Sequence, residues 1–258
     1  MKKIALKIAY NGISFHGFAR QPSVHTVEGE IVKQLINRDI IRDITSAMIR
    51  YASRTDKQVS ALTNVITFYS DRSTKQILSL ISDQFENIFP YGICEVSDSF
   101  NPRFAKSRSY QYFLPSHRFS LEKLQDALSL FEGEHDFSNF ARIESHRNPV
   151  RTIEKIEINH RAEVTLIEIK AQTFLWNQIR RIIEASMRYA KDKISLGQIK
   201  LALERPDIKV DFNMAPALPL LLKDISFPNL SFYEPDYLVK NINRVERSVI
   251  KHITNLDF

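Results

Sequence analysis

The order of strand-like and helix-like segments constrains the fold of this chain more than any other feature. In the first hundred residues, alternating apolar and polar runs predict strands, and apolar residues three or four apart predict helices. The resulting order is strand, helix, strand, strand, helix, strand, as in a ferredoxin-like unit. The segments are KIALKIAY (3–10), a helix opened by Thr26, DITSAMIRYAS (43–53), VSALTNVITFYS (59–70), a helix near 74–87 and GICEVSD (92–98).

The second half shows the same order with additions, although no sequence repeat is visible. Its segments are RSYQYFLP (108–115), a helix opened by Ser120, RTIEKIEINHR (151–161), EVTLIEIKAQTF (163–174), WNQIRRIIEASMRYAKD (176–192), a shorter helix and LLLKDISF (220–227). We therefore predict an α+β protein with two halves, 1–104 and 105–258, that share a mixed, mostly antiparallel sheet. The tail beyond residue 228 contains a predicted helix at 242–254 and has no assigned role.

Composition excludes several classes of protein. The 258 residues are 43% hydrophobic, which is enough for a substantial core, and no apolar run could cross a bilayer. The N-terminus lacks the features of a signal peptide, so we expect a cytoplasmic protein. The single cysteine, Cys94, excludes an intrachain disulfide. The histidines are scattered and the sequence contains no nucleotide-binding glycine motif, so we predict neither a metal nor a cofactor. The net charge of +6 favours a polyanionic partner, but many basic proteins have none.

Asp56 is the first candidate for chemistry. It lies in the stretch SRTDKQVSA (53–61), between Arg54 and Lys57 and just before a predicted strand. Nearby positive charge favours the ionised carboxylate, which suits a nucleophile better than a general acid. The alternative is a solvated turn between two strands.

Arg180 is the second candidate, because it flanks the apolar stripe of its predicted helix. It could reach a carboxylate at the edge of the core, or it could pair with Glu184 four residues later. Arg181 and Arg188 lie one heptad apart on another face of that helix. They could contact phosphates or form a solvated face.

Aromatic residues supply two further candidates. Tyr110, Tyr112 and Arg108 share one face of a predicted strand, where they could stack an unpaired base or simply pack in the core. The loop 11–25 is too long for a simple hairpin and includes Arg20 among aromatic and basic residues. It could be functional or a plain connection.

Taken together, these stretches resemble the tRNA pseudouridine synthases of the TruA type, over about residues 3 to 227 and in the family's order. The form of the box around Asp56 is the one more typical of archaeal and eukaryotic members. The matching stretches are KIAYNGISFHGFARQ, TVEGEI, SRTDKQVSA, FNPRFAKSRSYQYFL, FEGEHDFSNFAR, TFLWNQIRRII and MAPALPLLL.

The resemblance implies an activity and a set of partners. It implies the pseudouridine synthase fold, with two similar halves and a central cleft. The implied reaction converts uridine to pseudouridine in the anticodon stem-loop of tRNA, at about tRNA positions 38 to 40, without a cofactor. A homodimer that binds tRNA is also implied.

The resemblance assigns roles to individual residues. Asp56 matches the catalytic aspartate, Tyr110 the active-site tyrosine that stacks on the target base, and Arg180 the arginine that pairs with the aspartate. Arg54 matches the arginine that helps to hold the flipped nucleotide. Arg54 and four further cations are predicted to bind substrate, namely Arg20, Lys57, Arg108 and Arg181.

The chain departs from the family pattern at several positions. Gln58 and Glu184 replace usual glycines, Leu218-Pro219 replaces a usual Glu-Gly pair, and Asn11 replaces an aspartate. If the backbone at position 58 needs a positive φ, Gln58 is strained. The departures at Gln58, Glu184 and Leu218-Pro219 keep open an alternative, an inactive or weakly active tRNA-binding folding factor. A nuclease or glycosylase is a third interpretation, but a glycosidase needs a second, protonated carboxylate, for which the sequence offers no convincing residue.

Overall fold

The computed structural model describes residues 1–161 and 163–253, and these form two compact units. The first unit comprises Met1–Lys106 and Leu221–His252, and the second comprises Ser107–Leu220 and Ile253. The predicted division into 1–104 and 105–258 places residues 221–252 in the second half, whereas the structure packs them in the first unit.

The elements follow the predicted order closely. Before residue 107 they are β1 (Lys2–Tyr10), α1 (Val27–Asn37), α2 (Ile44–Ala47), β2 (Arg50–Tyr51), β3 (Ser60–Ser70), α3 (Thr74–Ile81) and β4 (Ile88–Val96). After it they are β5 (Ser107–Pro115), α4 (Leu121–Ser129), β6 (Gly133–Asp136), β7 (Val150–Arg161), β8 (Val164–Ala171), α5 (Gln178–Ala190), α6 (Leu196–Glu204), β9 (Leu220–Ser226), α7 (Asp236–Val239) and α8 (Ile242–Ile253).

The first unit is built on antiparallel strands in the order β4-β1-β3. The far edge of β3 is shared by two strands. β2 pairs antiparallel at Thr67 and Ile66, and β9 pairs parallel at Ser60 and Ala61. The α1 helix begins at the predicted cap, because the Thr26 side chain accepts a hydrogen bond from the Gly29 amide. The predicted α+β class and the mostly antiparallel pairing are confirmed.

The segment 43–53 corrects one prediction. Its alternating residues predict a strand, but the Asp43 side chain accepts from the Ser46 amide and starts the short helix α2. Met48, in a left-handed conformation, ends that helix. Only Arg50–Tyr51 forms a strand.

The second unit contains strands in the order β5-β8-β7-β6, all antiparallel. The α4 helix is capped as predicted by Ser120, whose side chain accepts a hydrogen bond from the Lys123 amide. β6 pairs with β7 and was not predicted, because the sequence GEHD has no apolar alternation. Every residue of β5 is buried, so its polar residues must find partners inside the protein.

The C-terminal segment belongs to the first unit through several long-range contacts. Ile93 of β4 and Tyr233 exchange two backbone hydrogen bonds, of 3.1 and 2.9 Å. Lys7 forms an ion pair of 2.7 Å with Glu234. The α8 helix buries Val245 and Val249. None of the helices in the described ranges is both long and apolar enough to span a membrane.

Candidate active site

Asp56 lies in an irregular loop, residues 53–59, which we call the aspartate loop. Backbone bonds hold this loop against the segment that follows β1. The Phe18 amide donates to the Thr55 carbonyl at 3.0 Å, and the Gln58 amide donates to the Phe15 carbonyl at 3.3 Å. Asp56 lies between these two bonds. Its backbone is therefore held on both sides although it lies outside any helix or strand.

Two buried side chains hold the start of the aspartate loop. The Asn64 amide group donates to the Ser53 carbonyl at 2.9 Å and accepts from the Ser53 amide at 3.3 Å. Tyr10 and Thr55 share a hydroxyl hydrogen bond of 2.8 Å. Asn64 has no exposed surface, and the sequence analysis missed it. The available signal for Asn64 was a polar residue in the middle of the largely apolar strand β3.

Two glycines allow the close approach of the loop after β1. A Cβ atom at Gly12 would lie 2.1 Å from the Val59 carbonyl oxygen. Gly17 has φ of +102°, and a Cβ there would lie 3.1 Å from the Thr55 carbonyl oxygen. The long loop 11–25 is therefore the support on which Asp56 is held.

The Asp56 side chain is partly buried, while Arg54, Lys57 and Arg20 are exposed. Arg20 follows Phe18 by two residues, and its backbone amide donates to Glu28 at 2.8 Å. Across residues 1–161 and 163–253, the charged groups of these three cations form no ion pair or hydrogen bond with the protein. The structure thus leaves three cations near the aspartate loop open to an anionic ligand.

Gln58 adopts the strained backbone that the departure from glycine predicts. Its φ is +69°, in the left-handed region where a side chain is unfavourable. Its side chain is exposed, so no packing in the core requires a glutamine there.

In the second unit, Tyr110 pairs with Ile169 across β5 and β8 and is 7% exposed. The Phe174 ring meets it edge-on, with ring centroids 5.3 Å apart and planes at 88°. Phe174 lies in the segment that connects β8 to α5. Sequence analysis did not single out Phe174 individually, although it lies in the motif TFLWNQIRRII.

Arg108 lies two residues before Tyr110 on the same strand and is buried. One terminal nitrogen of its guanidinium donates to the Gln172 carbonyl at 2.5 Å. Burial lowers the pKa of Arg108, and the nearby Tyr110 opposes that shift. The structure gives Arg108 a role in holding the end of β8. Its predicted contact with substrate stays a prediction.

Arg180 is anchored to an extended segment, residues 211–216, that lies along α5. The Arg180 Nε–H donates to the Ala215 carbonyl at 2.8 Å, and the Ala215 amide donates to the Arg180 carbonyl at 3.1 Å. The Nε bond fixes the plane of the guanidinium. A carboxylate ligand would therefore meet the terminal nitrogens of Arg180.

Arg181 and Arg188 hold the same segment. Arg181 forms an ion pair of 2.9 Å with Asp211, and Arg188 donates to the Phe212 carbonyl at 3.3 Å. The interpretation of these two arginines as a merely solvated face is wrong, because each has a partner in the protein. A phosphate bound by Arg181 would compete with Asp211.

Glu184 also lies on α5. In the sequence analysis it is the alternative partner for Arg180. Burial raises the pKa of Glu184, and the cations that oppose the shift are Arg188, Lys191 and Lys193. Tyr112 donates to the Pro216 carbonyl at 3.0 Å, and burial raises the pKa of its hydroxyl. The charge of Arg180 opposes that shift at Tyr112. Tyr112, unlike Tyr110, is thus a fully buried support for the segment 211–216.

The structure groups the predicted residues by unit. Asp56, Arg54 and Lys57 share the aspartate loop, and Arg20 lies in the segment that supports it. Tyr110 and Arg108 share a strand, while Arg180 and Arg181 share a helix. In the described part of the chain, no three His, Cys, Asp or Glu side chains are grouped to hold a metal ion.

Comparison with known proteins adds a family to this arrangement. Residues 127–228 match a family model described as tRNA pseudouridine synthase. The tRNA pseudouridine synthase A of Thermococcus sibiricus is 39% identical over 94% of this chain and 91% of its own length. That of Thermococcus kodakarensis is 37% identical over the same shares of both chains. A solved Cbf5-Nop10-Gar1 complex aligns with 85% of this chain and 48% of its own, at 12% identity and a TM-score of 0.37, which is too low to support an argument.

An α+β chain with an anchored aspartate loop and this similarity falls in the class of pseudouridine synthases, which are isomerases that act on uridine in RNA. Within that class, the chain belongs to the tRNA pseudouridine synthase A family. The resemblance inferred from the motifs is confirmed.

Proposed function

We propose that this enzyme converts uridine to pseudouridine in the anticodon stem-loop of tRNA, at about tRNA positions 38 to 40, with Asp56 as its catalytic residue. The anchoring of the aspartate loop carries the proposal. A partly buried carboxylate, in a loop that backbone bonds fix and beside the exposed cations Arg54 and Lys57 in the sequence, is suited to act on a bound nucleotide. The position within the tRNA rests on the resemblance of the motifs.

The reaction rearranges one nucleotide and needs no external reactant. The bond between ribose C1′ and uracil N1 breaks, the uracil turns within the site, and a new bond forms between C5 and C1′. The C5 proton is lost and N1 gains a proton, so the reaction is redox-neutral. Asp56 either attacks the nucleotide or assists the departure of the uracil anion, and both routes need its ionised form.

The remaining roles follow from the placement of each residue. Tyr110 is the proposed stacking partner of the flipped base and the acceptor or relay for the C5 proton. Arg180 is the proposed partner that keeps the Asp56 carboxylate charged and aimed. Its bond to Ala215 supports this role, because a guanidinium fixed in one plane loses less freedom on binding a carboxylate.

Binding must offset the cost of flipping a nucleotide out of a stacked stem-loop, which is a few kcal/mol. We propose that Arg54 holds the flipped nucleotide and that Arg20 and Lys57 contact phosphates. Their exposed, unpaired charged groups support this assignment. Arg108 and Arg181 are also proposed to bind substrate, but each would do so beside a protein partner that it already holds.

We further propose that the protein is a homodimer in the cytoplasm. Both statements rest on the resemblance, and sedimentation at micromolar concentration tests the first. A monomer at that concentration, with full activity, would contradict it.

The direct test measures tritium released from tRNA labelled at uridine C5, because only isomerisation replaces that hydrogen. We expect release by the wild-type protein. We expect Asp56→Asn to reduce turnover at least about a thousand-fold, while the tRNA dissociation constant stays within a few-fold. Asp83→Asn, an exposed carboxamide substitution in the same unit, is the matched control and should keep full turnover.

Three outcomes contradict the proposal in different ways. Binding of tRNA without any release of tritium by the wild-type protein would make the protein a folding factor. Free uracil or cleaved RNA would make it a glycosylase or nuclease. Equal losses of binding and turnover in Asp56→Asn would make Asp56 structural. Sequencing of the pseudouridines then decides whether they fall in the anticodon stem-loop.

A further inference from the structure

The C-terminal helix α8 has two opposite faces. One face buries Val245, Val249 and Ile253 in the protein. The other carries Arg244, Arg247 and Lys251, spaced three and four residues apart and all exposed. Residues at these spacings are neighbours on one side of a helix. We call these three residues the basic ridge, and the exposed Lys240 precedes it by one turn.

The basic ridge has charge of one sign only. Glu246 is the single acid of α8, and at 100° per residue it lies well away from the ridge. Within the described residues, the guanidinium groups of Arg244 and Arg247 and the ammonium group of Lys240 have no ion pair or hydrogen bond with the protein.

Like charges at these spacings destabilise a helix by a few tenths of a kcal/mol per pair. A helix face that is merely solvated usually mixes both signs. The neighbouring charges of Arg244 and Arg247 are therefore unfavourable in the free protein and become favourable beside a polyanion.

Contacts within the first unit connect α8 to the aspartate loop. The Asn11 side chain donates to the Ser248 hydroxyl at 2.9 Å. The next residue, Gly12, donates its amide to the Ser60 hydroxyl at 2.9 Å, directly after Val59. Only the segment after β1 thus separates α8 from the loop that carries Asp56. The ridge and Asp56 therefore lie in the same unit and are linked through one segment, and an RNA strand whose nucleotide reaches Asp56 also carries neighbouring phosphates.

We propose that the basic ridge binds the sugar-phosphate backbone of the tRNA substrate, outside the nucleotide that enters the active site. This inference rests on the proposed function, because it names a second contact surface for the same substrate. The ridge extends about 10 Å along the helix axis from Arg244 to Lys251. That length suits two or three consecutive phosphates of one strand.

The experiment uses the full chain and unmodified tRNA. The double variant Arg244→Gln/Arg247→Gln should reduce the slope of log Kd against log salt concentration by about 1.4 to 1.8, since each phosphate contact contributes about 0.7 to 0.9. We expect tRNA affinity to fall about tenfold or more in low salt, while turnover at saturating tRNA is unchanged.

Two further variants separate local contacts from other causes. Lys200→Gln/Lys209→Gln removes the same net charge from the exposed surface of the second unit and should leave the slope unchanged. Arg244→Lys/Arg247→Lys keeps the charges and should keep the slope, which also guards against loss of the fold in the glutamine variant.

The inference fails if the glutamine variant keeps the wild-type salt dependence of tRNA binding. It also fails if the Lys200/Lys209 control reduces that salt dependence as much as the glutamine variant does. It also fails if the ridge is needed for binding anionic lipid vesicles and not for binding tRNA. Failure of the proposed function looks different. In that case tRNA binding would still depend on the ridge, but no tritium would be released by the wild-type protein.

Discussion

The two groups of candidate site residues are held in place by different means. The aspartate loop has no regular structure, and backbone bonds from Phe18 and Gln58 hold it against a glycine-containing segment. Tyr110 and Arg180, in contrast, belong to a strand and a helix, and side-chain contacts with Phe174 and Ala215 orient them. The first group therefore depends mainly on backbone fit, with Asn64 and Tyr10 holding the start of the loop, and the second depends on side-chain chemistry.

This contrast predicts where each region tolerates change. The exposed side chains of the aspartate loop, Arg54, Lys57 and Gln58, can change without moving its backbone, but an added atom beneath the loop must displace it. In the second unit the backbone is secure, because strand and helix hydrogen bonds define it. There, a substitution that keeps charge but changes geometry should harm the function more than it harms the stability.

Gly12→Ala should have the largest effect on stability. The new Cβ would lie 2.1 Å from the Val59 carbonyl oxygen, and backbone cannot move aside cheaply. We expect a loss of about 3 kcal/mol in the free energy of unfolding, measured by urea denaturation. Turnover should fall as well, because the displaced residue, Val59, lies three residues from Asp56.

Gly197→Ala is the matched control, since the nearest atom to its new Cβ is the Ser195 hydroxyl oxygen at 3.7 Å. Gly197 lies in α6, where alanine is favoured over glycine by up to about 1 kcal/mol. The control should therefore be neutral or stabilising. Equal behaviour of the two variants would show that the aspartate loop is not limited by backbone fit.

Arg180→Lys tests the other half of the comparison. Lysine keeps the positive charge but loses the Nε–H bond to Ala215 and the planar fork that suits a carboxylate. We expect turnover to fall about a hundredfold, which corresponds to about 2.7 kcal/mol of transition-state stabilisation. The free energy of unfolding should fall by only about 1 kcal/mol, the net value of one hydrogen bond.

Arg181→Lys is the comparison variant, because Arg181 binds the largely exposed Asp211. Exposed ion pairs are worth less than about 1 kcal/mol, so turnover at saturating tRNA should stay within a few-fold. If Arg180→Lys keeps wild-type turnover, charge alone is sufficient at that position and its fixed geometry has no catalytic role.

Local signals in the sequence account for much of the fold. The caps at Thr26 and Ser120 were predicted because a hydroxyl residue precedes an apolar helical pattern. The segment 43–53 was misread, since its alternation favours a strand while the decisive signal was the single Asp43 cap. Propensity is a weak guide when one side chain can satisfy the first amides of a helix.

Long-range placement could not be predicted from local patterns. The C-terminal segment packs in the first unit through Ile93, Lys7 and Asn11, which lie more than a hundred residues earlier. No periodicity records such pairings. At the candidate site, ordered motifs assigned roles to Asp56, Tyr110 and Arg180 by resemblance. For Asn64 the sequence offered only a polar residue within an apolar strand pattern, and its supporting role became clear from its contacts with Ser53.

Gln58→Gly should have the smallest effect of the three, and it should be favourable. The left-handed backbone at φ of +69° costs a side-chain-bearing residue about 1 to 2 kcal/mol, which glycine avoids. Glycine also increases the conformational freedom of the unfolded chain, which lowers this gain in stability by about 0.4 to 1 kcal/mol. We therefore expect a net gain of about 0.5 to 1 kcal/mol in urea denaturation, with turnover within about twofold of the wild type because the Gln58 side chain is exposed.

The same substitution at Gln125 should have the opposite sign. Gln125 is exposed in α4, where glycine costs about 1 kcal/mol because the helical backbone is already relaxed. If Gln58→Gly is destabilising, the Gln58 side chain contributes more to the free energy of unfolding than its strained backbone costs. The aspartate loop would then depend on one of its own exposed side chains as well as on backbone fit, and the contrast with the second unit would be weaker than the hydrogen bonds indicate.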